Sequence, residues 1–237
     1  MKLFCFPWAG GHAVGYEPLR QGLIGSVEVI PVELPGRGKL LSQRPFSDLP
    51  VLVEWLLLEL SPHLESPFAF WGHSMGAMVS FELAHALRRA NLPQPIYLFL
   101  SAHRAPHLPK PYAATHLLPD EDLIDYLQLL GGSHNSVLAH KEMMEMILPT
   151  LRADLTALNE HVCTIQEPLA YPLIALGGTN DAHISHADLA AWQSYTTAHF
   201  RVCLFPGGHF YLQTGLAMLL PLLRQTLYEN LETERHE

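Results

Sequence analysis

Short apolar segments rich in β-branched and aromatic residues alternate along this chain with longer segments whose apolar residues recur every three or four positions. The first pattern is typical of buried strands and the second of helices that pack through one face. Their alternation predicts an α/β fold with a mostly parallel sheet covered by helices on both faces. The candidate strands are residues 3–6, 27–32, 68–71, 96–100, 173–176 and 202–205.

Three helices are predicted outside the longest gap between strands. In residues 48–60 the apolar positions form one stripe, with Asp48 available as the N-cap and Pro50 acceptable in the first turn. Residues 77–87 and 212–227 have the same period. These helices are expected to lie on the sheet.

The 68 residues from His103 to Ala170 exceed what a crossover between neighbouring strands needs, so we expect an insertion at about residues 106–165. It contains two helical patterns, residues 123–130, ended by Gly131-Gly132, and residues 143–158. These helices either pack on the main core or face a ligand. Their methionines favour the ligand-facing alternative, because thioether side chains adapt to varied shapes.

Composition excludes several classes of protein. A chain of 237 residues suits a single domain, 1–237, that needs no disulfide or metal to fold. Its net charge of −9 argues against nucleic-acid partners. Cys5, Cys163 and Cys203 fit neither a disulfide framework nor a CxxC metal site, which favours a reducing, cytoplasmic setting. We expect a protein that is neither exported nor embedded in a membrane, because the apolar stretch after Lys2 is short and no later apolar run approaches the length of a membrane span.

The sequence Gly72-His73-Ser74-Met75-Gly76 follows a predicted strand and precedes a predicted helix. In that context GxSxG is typical of a nucleophilic serine on a sharp turn, where both glycines allow strand and helix to approach closely. The alternative is a tight turn in which Ser74 only caps the helix.

A nucleophilic serine needs a histidine base and a carboxylate that orients it. In α/β-hydrolases these follow the serine in the order acid, then histidine, after later strands. Asp181 follows the strand at 173–176, and His209 follows the strand at 202–205 through Pro206-Gly207-Gly208. The sequence therefore predicts Asp181 as the acid and His209 as the base, with Glu160 and Glu167 as alternative acids.

The oxyanion of such a site is bound by two backbone N–H groups, one from the residue after the nucleophile and one from a loop after an early strand. Met75 is the first candidate by position. Ala9 or Trp8, in the loop that leaves the first strand, is the second.

At this point the chain resembles a known family, the stand-alone type II thioesterases of polyketide and nonribosomal peptide synthesis, which are close to the medium-chain acyl-carrier-protein thioesterases. Six blocks in the same order carry the resemblance over nearly the whole chain: Phe6-Pro7-Trp8-Ala9-Gly10-Gly11, Leu34-Pro35-Gly36-Arg37-Gly38, Gly72-His73-Ser74-Met75-Gly76-Ala77, Leu148-Pro149-Thr150-Leu151-Arg152-Ala153-Asp154, Gly177-Gly178-Thr179-Asn180-Asp181 and Gly207-Gly208-His209-Phe210-Tyr211-Leu212.

The resemblance implies an α/β-hydrolase fold, a catalytic triad of Ser74, His209 and Asp181, and no cofactor. It implies that the insertion is a mobile helical lid over an acyl pocket, and that the substrates are acyl groups on the phosphopantetheine arm of an acyl or peptidyl carrier protein. One departure is Ala182-His183-Ile184, where the family usually has Pro and a small apolar residue.

Two expectations concern binding surfaces. The residues Met143, Met144, Ile147 and Leu151 are predicted to face the acyl chain, with Gly131-Gly132 as a hinge or a helix end. Because carrier domains of the family are acidic, docking on a chain of charge −9 requires a local basic patch. The candidates are Arg37, Lys39, Arg44, Arg88, Arg89 and Arg104.

Alternative functions remain open. Asp181, His183, His186 and Asp188 form a DxHxxHxD cluster of the residue types that bind metals. A degenerate fold that binds acyl carriers without hydrolysis is a non-enzymatic alternative. Among hydrolases, a carboxylesterase or a medium-chain fatty acyl-carrier-protein thioesterase uses the same machinery.

Overall fold

A parallel six-stranded sheet forms the centre of the structure, a computed structural model that describes residues 1–25, 27–64, 67–110, 114–131, 141–164 and 167–233. The strand order is β2-β1-β3-β4-β5-β6. All six strands predicted from the sequence are present, most of them longer by one or two residues. Their bounds are β1 Lys2–Phe6, β2 Glu28–Pro31, β3 Phe68–His73, β4 Tyr97–Ser101, β5 Leu173–Gly178 and β6 Phe200–Phe205.

Helices cover both faces of the sheet, which confirms the predicted α/β class. The segments are α1 Glu17–Gly22, α2 Leu49–Leu60, α3 Met75–Arg89, α4 Asp120–Leu130, α5 Lys141–Glu160, α6 His186–Ala190 and α7 Leu216–Thr233. The carboxylate of Asp48 accepts the Val51 N–H at 2.9 Å, so the predicted cap of α2 is present. The last helix begins at Leu216, not at residue 212, because Tyr211–Gln213 forms a separate 3-10 turn.

Strand β1 shows how the two apolar layers arise. Phe4 and Phe6 point into the core under α2 and α3, whereas Leu3 and Cys5 point into the core under α1 and α7. Successive side chains of a strand face opposite sides of the sheet, so a fully apolar strand contributes side chains to both apolar layers.

The insertion contributes α4 and α5, which share a smaller apolar cluster of their own. It is built around Leu123, Met144, Leu148, Leu151 and Leu155. The inner face of α5 also reaches the main core through Ala157. Gly131 ends α4 in the left-handed conformation, with φ of 75°, whereas the neighbouring Gly132 lies outside the described residues.

Over the described ranges, no helix combines the length and the apolar character that crossing a membrane requires.

Candidate active site

Ser74 occupies a strained turn between β3 and α3. Its φ of 54° and ψ of −117° lie outside the regions that side-chain-bearing residues usually adopt. The Ser74 N–H donates to the Ser101 carbonyl at 2.8 Å, which fixes the turn to the end of β4. This strained turn between a strand and a helix is the one that the GxSxG context predicts.

The glycines beside this turn are required by backbone contacts. A Cβ on Gly72 would lie 2.0 Å from the Gly76 carbonyl oxygen, and a Cβ on Gly76 would lie 2.1 Å from the Phe6 carbonyl oxygen. Both distances are far below van der Waals contact. Strand β1, the turn and the start of α3 therefore approach one another through main chain alone.

His209 lies between Ser74 and Asp181. Its Nε2 is 3.1 Å from the Ser74 Oγ, and its Nδ1 is 2.8 Å from the Asp181 Oδ2. The carboxylate can only accept, so Nδ1 carries the proton and the Nε2 lone pair faces the serine hydroxyl. The three residues that the sequence predicts as a triad thus form one hydrogen-bonded chain, an arrangement suited to acyl transfer.

The loop after β5 holds the carboxylate of Asp181. Its Oδ1 accepts the N–H groups of His183 and Ile184 at 2.8 and 3.2 Å. Burial raises the pKa of Asp181, but the His209 hydrogen bond and charge, together with these two N–H groups, outweigh burial and bring the pKa below its ordinary value. The segment that departs from the family pattern therefore supplies two donors that keep the acid ionised.

The alternative acids lie elsewhere. Glu160 is 67% exposed and lies 3.5 Å from His116. Glu167 is exposed, and its carbonyl accepts from Arg88. Neither residue lines the cavity at His209, whereas Asp181 lies within hydrogen-bond distance of the His209 ring.

Behind His209 lies a buried polar network that the sequence analysis missed. His73 Nδ1 is 2.8 Å from the Ser101 Oγ, which is 2.7 Å from the Tyr211 hydroxyl. Burial holds the pKa of His73 well below its ordinary value, so this ring stays neutral beside the ring of His209, 5.5 Å away. Ser101 could have been found from parallel register, since it pairs with His73 at the end of β4.

A cavity of about 200 Å³ opens at Ser74 and His209. Trp8 and Ala9 line it on the sheet side, and apolar residues of α5 line the opposite wall. Those residues are Met144, Ile147, Leu151, Leu155 and Leu158. Three of the four residues predicted to face an acyl chain therefore do line a cavity beside the serine.

The prediction for Met143 is wrong. Its side chain is 43% exposed and is not part of the cavity wall. The apolar stripe of α5 is centred on Met144, Ile147 and Leu151, and Met143 lies beyond its solvent edge.

The oxyanion loop, residues 7–11, has two of its N–H groups engaged. Gly10 N–H donates to Asp154 at 2.8 Å, and Gly11 N–H donates to the Trp8 carbonyl at 2.8 Å. Trp8 and Ala9 both border the cavity at Ser74. The assignment of the second oxyanion donor to Ala9 or Trp8, beside Met75, stays a prediction.

The predicted basic patch is only partly available. Arg37 is 6% exposed and forms an ion pair with Asp154, so its inclusion was wrong. Arg104 pairs with Asp188 at 2.9 Å, and Arg88 donates to the carbonyls of Glu167 and Pro168. The remaining candidates, Lys39, Arg44 and Arg89, are exposed.

The predicted DxHxxHxD metal cluster does not converge among the described side chains. Asp181 faces His209, and Asp188 caps α6 through Ser185 while pairing with Arg104. A different trio, Glu82, His161 and Cys163, has its ligand atoms within 4.8 Å of one another. There, the Glu82 carboxylate already accepts from His161 at 3.0 Å and from Cys163 at 3.4 Å.

Comparison with known proteins gives consistent matches. A model of the thioesterase domain family matches residues 1–225. The chain is 40% identical over 228 residues to the linear gramicidin dehydrogenase LgrE of Brevibacillus parabrevis, covering 95% of this chain and 87% of that protein. It is 40% identical over 212 residues to the gramicidin S biosynthesis protein GrsT of Aneurinibacillus migulanus, covering 90% and 83%.

A solved structure has a similar fold along nearly the whole chain. The RedJ thioesterase from the prodiginine biosynthetic pathway in Streptomyces coelicolor superposes with a TM-score of 0.89 at 36% identity, covering 94% of this chain and 84% of that one.

Proposed function

This chain belongs to the thioesterase family and is a hydrolase of the α/β-hydrolase fold, and we propose that it releases acyl groups from the phosphopantetheine arm of carrier proteins. In this role it serves a polyketide or nonribosomal peptide assembly line by removing acyl groups that block it. The observation that carries the proposal is the hydrogen-bonded chain of Ser74, His209 and Asp181 at the mouth of an apolar cavity.

The names of the relatives support the pathway assignment. GrsT is named for gramicidin S biosynthesis, and RedJ is a thioesterase of prodiginine biosynthesis. LgrE is named a dehydrogenase. This chain contains no GxGxxG sequence of the kind that binds a dinucleotide after the first strand, so that name does not extend to it.

In the proposed acylation step, the Ser74 Oγ attacks the thioester carbonyl while His209 Nε2 accepts the hydroxyl proton. The tetrahedral oxyanion lies against the N–H of Met75 and the N–H of Ala9 or Trp8. Asp181 holds the imidazolium in place through Nδ1. The C–S bond then breaks, the proton of His209 passes to the pantetheine sulfur, and the acyl group remains on Ser74.

Deacylation repeats this chemistry with water. His209 takes a proton from the water molecule that attacks the acyl-serine ester, and the second tetrahedral intermediate uses the same oxyanion donors. Collapse releases the carboxylic acid and returns the proton from His209 to the Ser74 Oγ. The overall reaction is thioester plus water to acid plus thiol, with no cofactor.

The insertion, residues 106–165, acts in this proposal as a lid over the acyl chain. Apolar residues of α5 form the far wall of the cavity, and a wall that moves would admit the pantetheine arm. Of the six basic candidates, Lys39, Arg44 and Arg89 are exposed, and we propose that they contribute to docking an acidic carrier protein. We propose a cytoplasmic location, which the three cysteines favour because they fit no disulfide framework.

The test is intact-protein mass spectrometry of carrier proteins loaded with acetyl, butyryl or octanoyl pantetheine. We expect wild-type protein to return each carrier to its free-thiol mass, and Ser74→Ala to leave the acyl mass in place. Ser80→Ala is the matched control, because Ser80 is buried in α3 and bonds only to the Ala77 carbonyl at 3.0 Å among the described contacts. Faster hydrolysis of simple oxyesters than of acyl pantetheine would instead support a carboxylesterase.

A further inference from the structure

A buried ion pair joins helix α5 to the loop after β2. Arg37 donates to both carboxylate oxygens of Asp154, with each N–O distance 2.7 Å. The two side chains are 6% and 2% exposed. Buried pairs of this kind contribute little net stability compared with apolar packing, but they fix geometry because each charge must keep its partner.

The same pair also holds the oxyanion loop. The Asp154 Oδ2 accepts the Gly10 N–H at 2.8 Å, and the Arg37 Nη1 donates to the Gly11 carbonyl at 3.0 Å. One charged pair therefore holds the N–H of Gly10 and the carbonyl of Gly11. These two groups come directly after Ala9.

Fixing the Gly10 N–H restricts the orientation of the Ala9 N–H. The Ala9–Gly10 peptide is planar, so a bond to the Gly10 nitrogen sets the plane that follows the Ala9 Cα. The direction of the Ala9 N–H relative to this plane then depends only on the φ and ψ angles of Ala9. Gly10 itself has φ of 69°, and a Cβ there would lie 3.2 Å from the Leu151 Cδ1 of α5.

We propose that Asp154 is a positioning residue of the oxyanion hole: from helix α5 it holds the Gly10 peptide so that the preceding N–H groups face the oxygen bound at Ser74. This rests on the proposed thioesterase function. It makes transition-state stabilisation depend on how α5 is docked on the loop of residues 7–11.

A second contact on α5 provides a matched control. The Thr150 Oγ1 donates to the Gly36 carbonyl at 2.9 Å, which docks the same helix on the same β2 loop without contacting residues 7–11. Thr150→Val removes a docking contact alone. Asp154→Ala removes docking and the hold on Gly10, while Asp154→Asn keeps a carbonyl oxygen that can accept the Gly10 N–H.

The experiment measures kcat and KM for octanoyl pantetheine, the affinity for two inhibitors, and thermal unfolding. One inhibitor is an octanoyl trifluoromethyl ketone, which forms a hemiketal with the serine and places an anionic oxygen in the oxyanion hole. The other is the corresponding thioether, which has no such oxygen. If a variant loses only the docking of α5, its melting temperature falls and its affinities for the two inhibitors change by the same factor.

For Asp154→Ala we expect kcat and trifluoromethyl ketone affinity to fall by about ten- to a hundredfold, with KM and thioether affinity nearly unchanged. Asp154→Asn should lose less, and Thr150→Val should keep wild-type kcat.

The proposal is overturned if the kcat values of folded Asp154→Asn and Asp154→Ala both lie within threefold of that of Thr150→Val. It is also overturned if the affinities for the two inhibitors fall by the same factor. Should Asp154→Ala not fold, the double variant Arg37→Met/Asp154→Leu takes its place under the same two criteria, because it replaces the buried pair with apolar side chains and removes the acceptor of the Gly10 N–H. A wild-type protein that binds the ketone but hydrolyses no thioester would contradict the proposed function instead.

Discussion

The turn at Ser74 and the insertion helix α5 face each other across the cavity, yet they are held by different kinds of contact. The turn is built from main chain, with Gly72 and Gly76 packed so closely that a Cβ would lie about 2 Å from a carbonyl oxygen. Helix α5 is held by an apolar stripe and a few side-chain bonds, such as Thr150 to Gly36. Backbone contacts permit no substitution, whereas apolar side-chain contacts permit gradual change. The position of the nucleophile is therefore fixed on one side, and the apolar lining of the pocket can vary on the other.

The two halves of α5, before and after Pro149, differ in the contacts that the structure describes. After Pro149, Arg152 donates to the carbonyls of His116 and Leu118, and Asn159 donates to Thr115. Before Pro149, the described side chains contribute apolar contacts through Met144, Ile147 and Leu148. Both halves line the cavity, through Met144 and Ile147 before Pro149 and through Leu151, Leu155 and Leu158 after it. The second half therefore combines polar contacts that hold the helix with an apolar wall for the acyl chain.

The largest effect is expected at the turn. Gly76→Ala adds a methyl group 2.1 Å from the Phe6 carbonyl oxygen, so we expect loss of the folded enzyme although Ala favours a helix by about 1 kcal/mol. In Gly131→Ala, the added methyl group has no described atom within 4 Å, so this substitution should cost only the roughly 1–2 kcal/mol of a left-handed alanine. Soluble yield and thermal unfolding compare the two variants. Equal melting temperatures would contradict the contrast between the turn at Ser74 and the insertion.

The next effect concerns the acid. Asp181→Asn should lower kcat by about 10⁴ without unfolding the protein, because an amide favours the wrong imidazole tautomer. Glu160→Gln, which changes an exposed carboxylate, should be silent. Steady-state kinetics on acyl pantetheine measures both. If Glu160→Gln is the damaging change, the hydrogen bond from His209 to Asp181 does not report the working acid.

A smaller and selective effect is expected on the cavity wall. Ile147→Trp or Met144→Trp should reduce kcat/KM for octanoyl substrates at least tenfold relative to acetyl, since each methylene excluded from an apolar pocket is worth roughly 1 kcal/mol. Met143→Trp is the matched control on the exposed edge of the same helix. A uniform loss at every acyl length, with a lowered melting temperature, would mean that these residues serve packing and not selectivity.

The smallest effect is one of pH on stability. Burial, with Arg88 and Arg89 nearby, lowers the pKa of His85 to about 4, although Glu82 opposes this. An unfolded histidine has a pKa of about 6.5, so the unfolded chain binds the extra proton between these values. The contribution of His85 to the free energy of unfolding is therefore fully present above pH 6.5 and is lost as the pH falls towards 4. At pH 5 the loss relative to neutral pH is roughly 2 kcal/mol.

Urea unfolding at pH 7 and pH 5 measures this loss. In His85→Gln, which cannot take up the proton, the difference between the two pH values should shrink by about that amount. An unchanged difference would show that His85 does not carry the pH dependence.

The sequence was a good guide where a local pattern decides the structure. Runs of β-branched and aromatic residues located all six strands, and the order of Ser74, Asp181 and His209 after particular strands anticipated their hydrogen-bonded chain. Each of these features depends on a few neighbouring residues. Parallel strands then bring their carboxyl ends to one edge of the sheet.

It was a poor guide where distant residues meet. Arg37 and Asp154 are 117 positions apart, and nothing in either local sequence distinguishes a buried pair from two surface charges. The exposure of Met143 depends on the rotational phase of α5, which is set by docking contacts such as Thr150 with Gly36. The His73–Ser101–Tyr211 network likewise joins two strand ends and a loop.

The most direct test of the account is to follow the enzyme's own mass during turnover. Wild-type protein is mixed with an octanoyl carrier protein, quenched in acid on the millisecond scale and digested for peptide mapping. The account predicts an octanoyl adduct on the peptide that contains Ser74, formed and lost at rates consistent with kcat, and its absence in Ser74→Ala. Thioester hydrolysis by Ser74→Ala within a few-fold of wild type, with no adduct on that peptide in either protein, would contradict it.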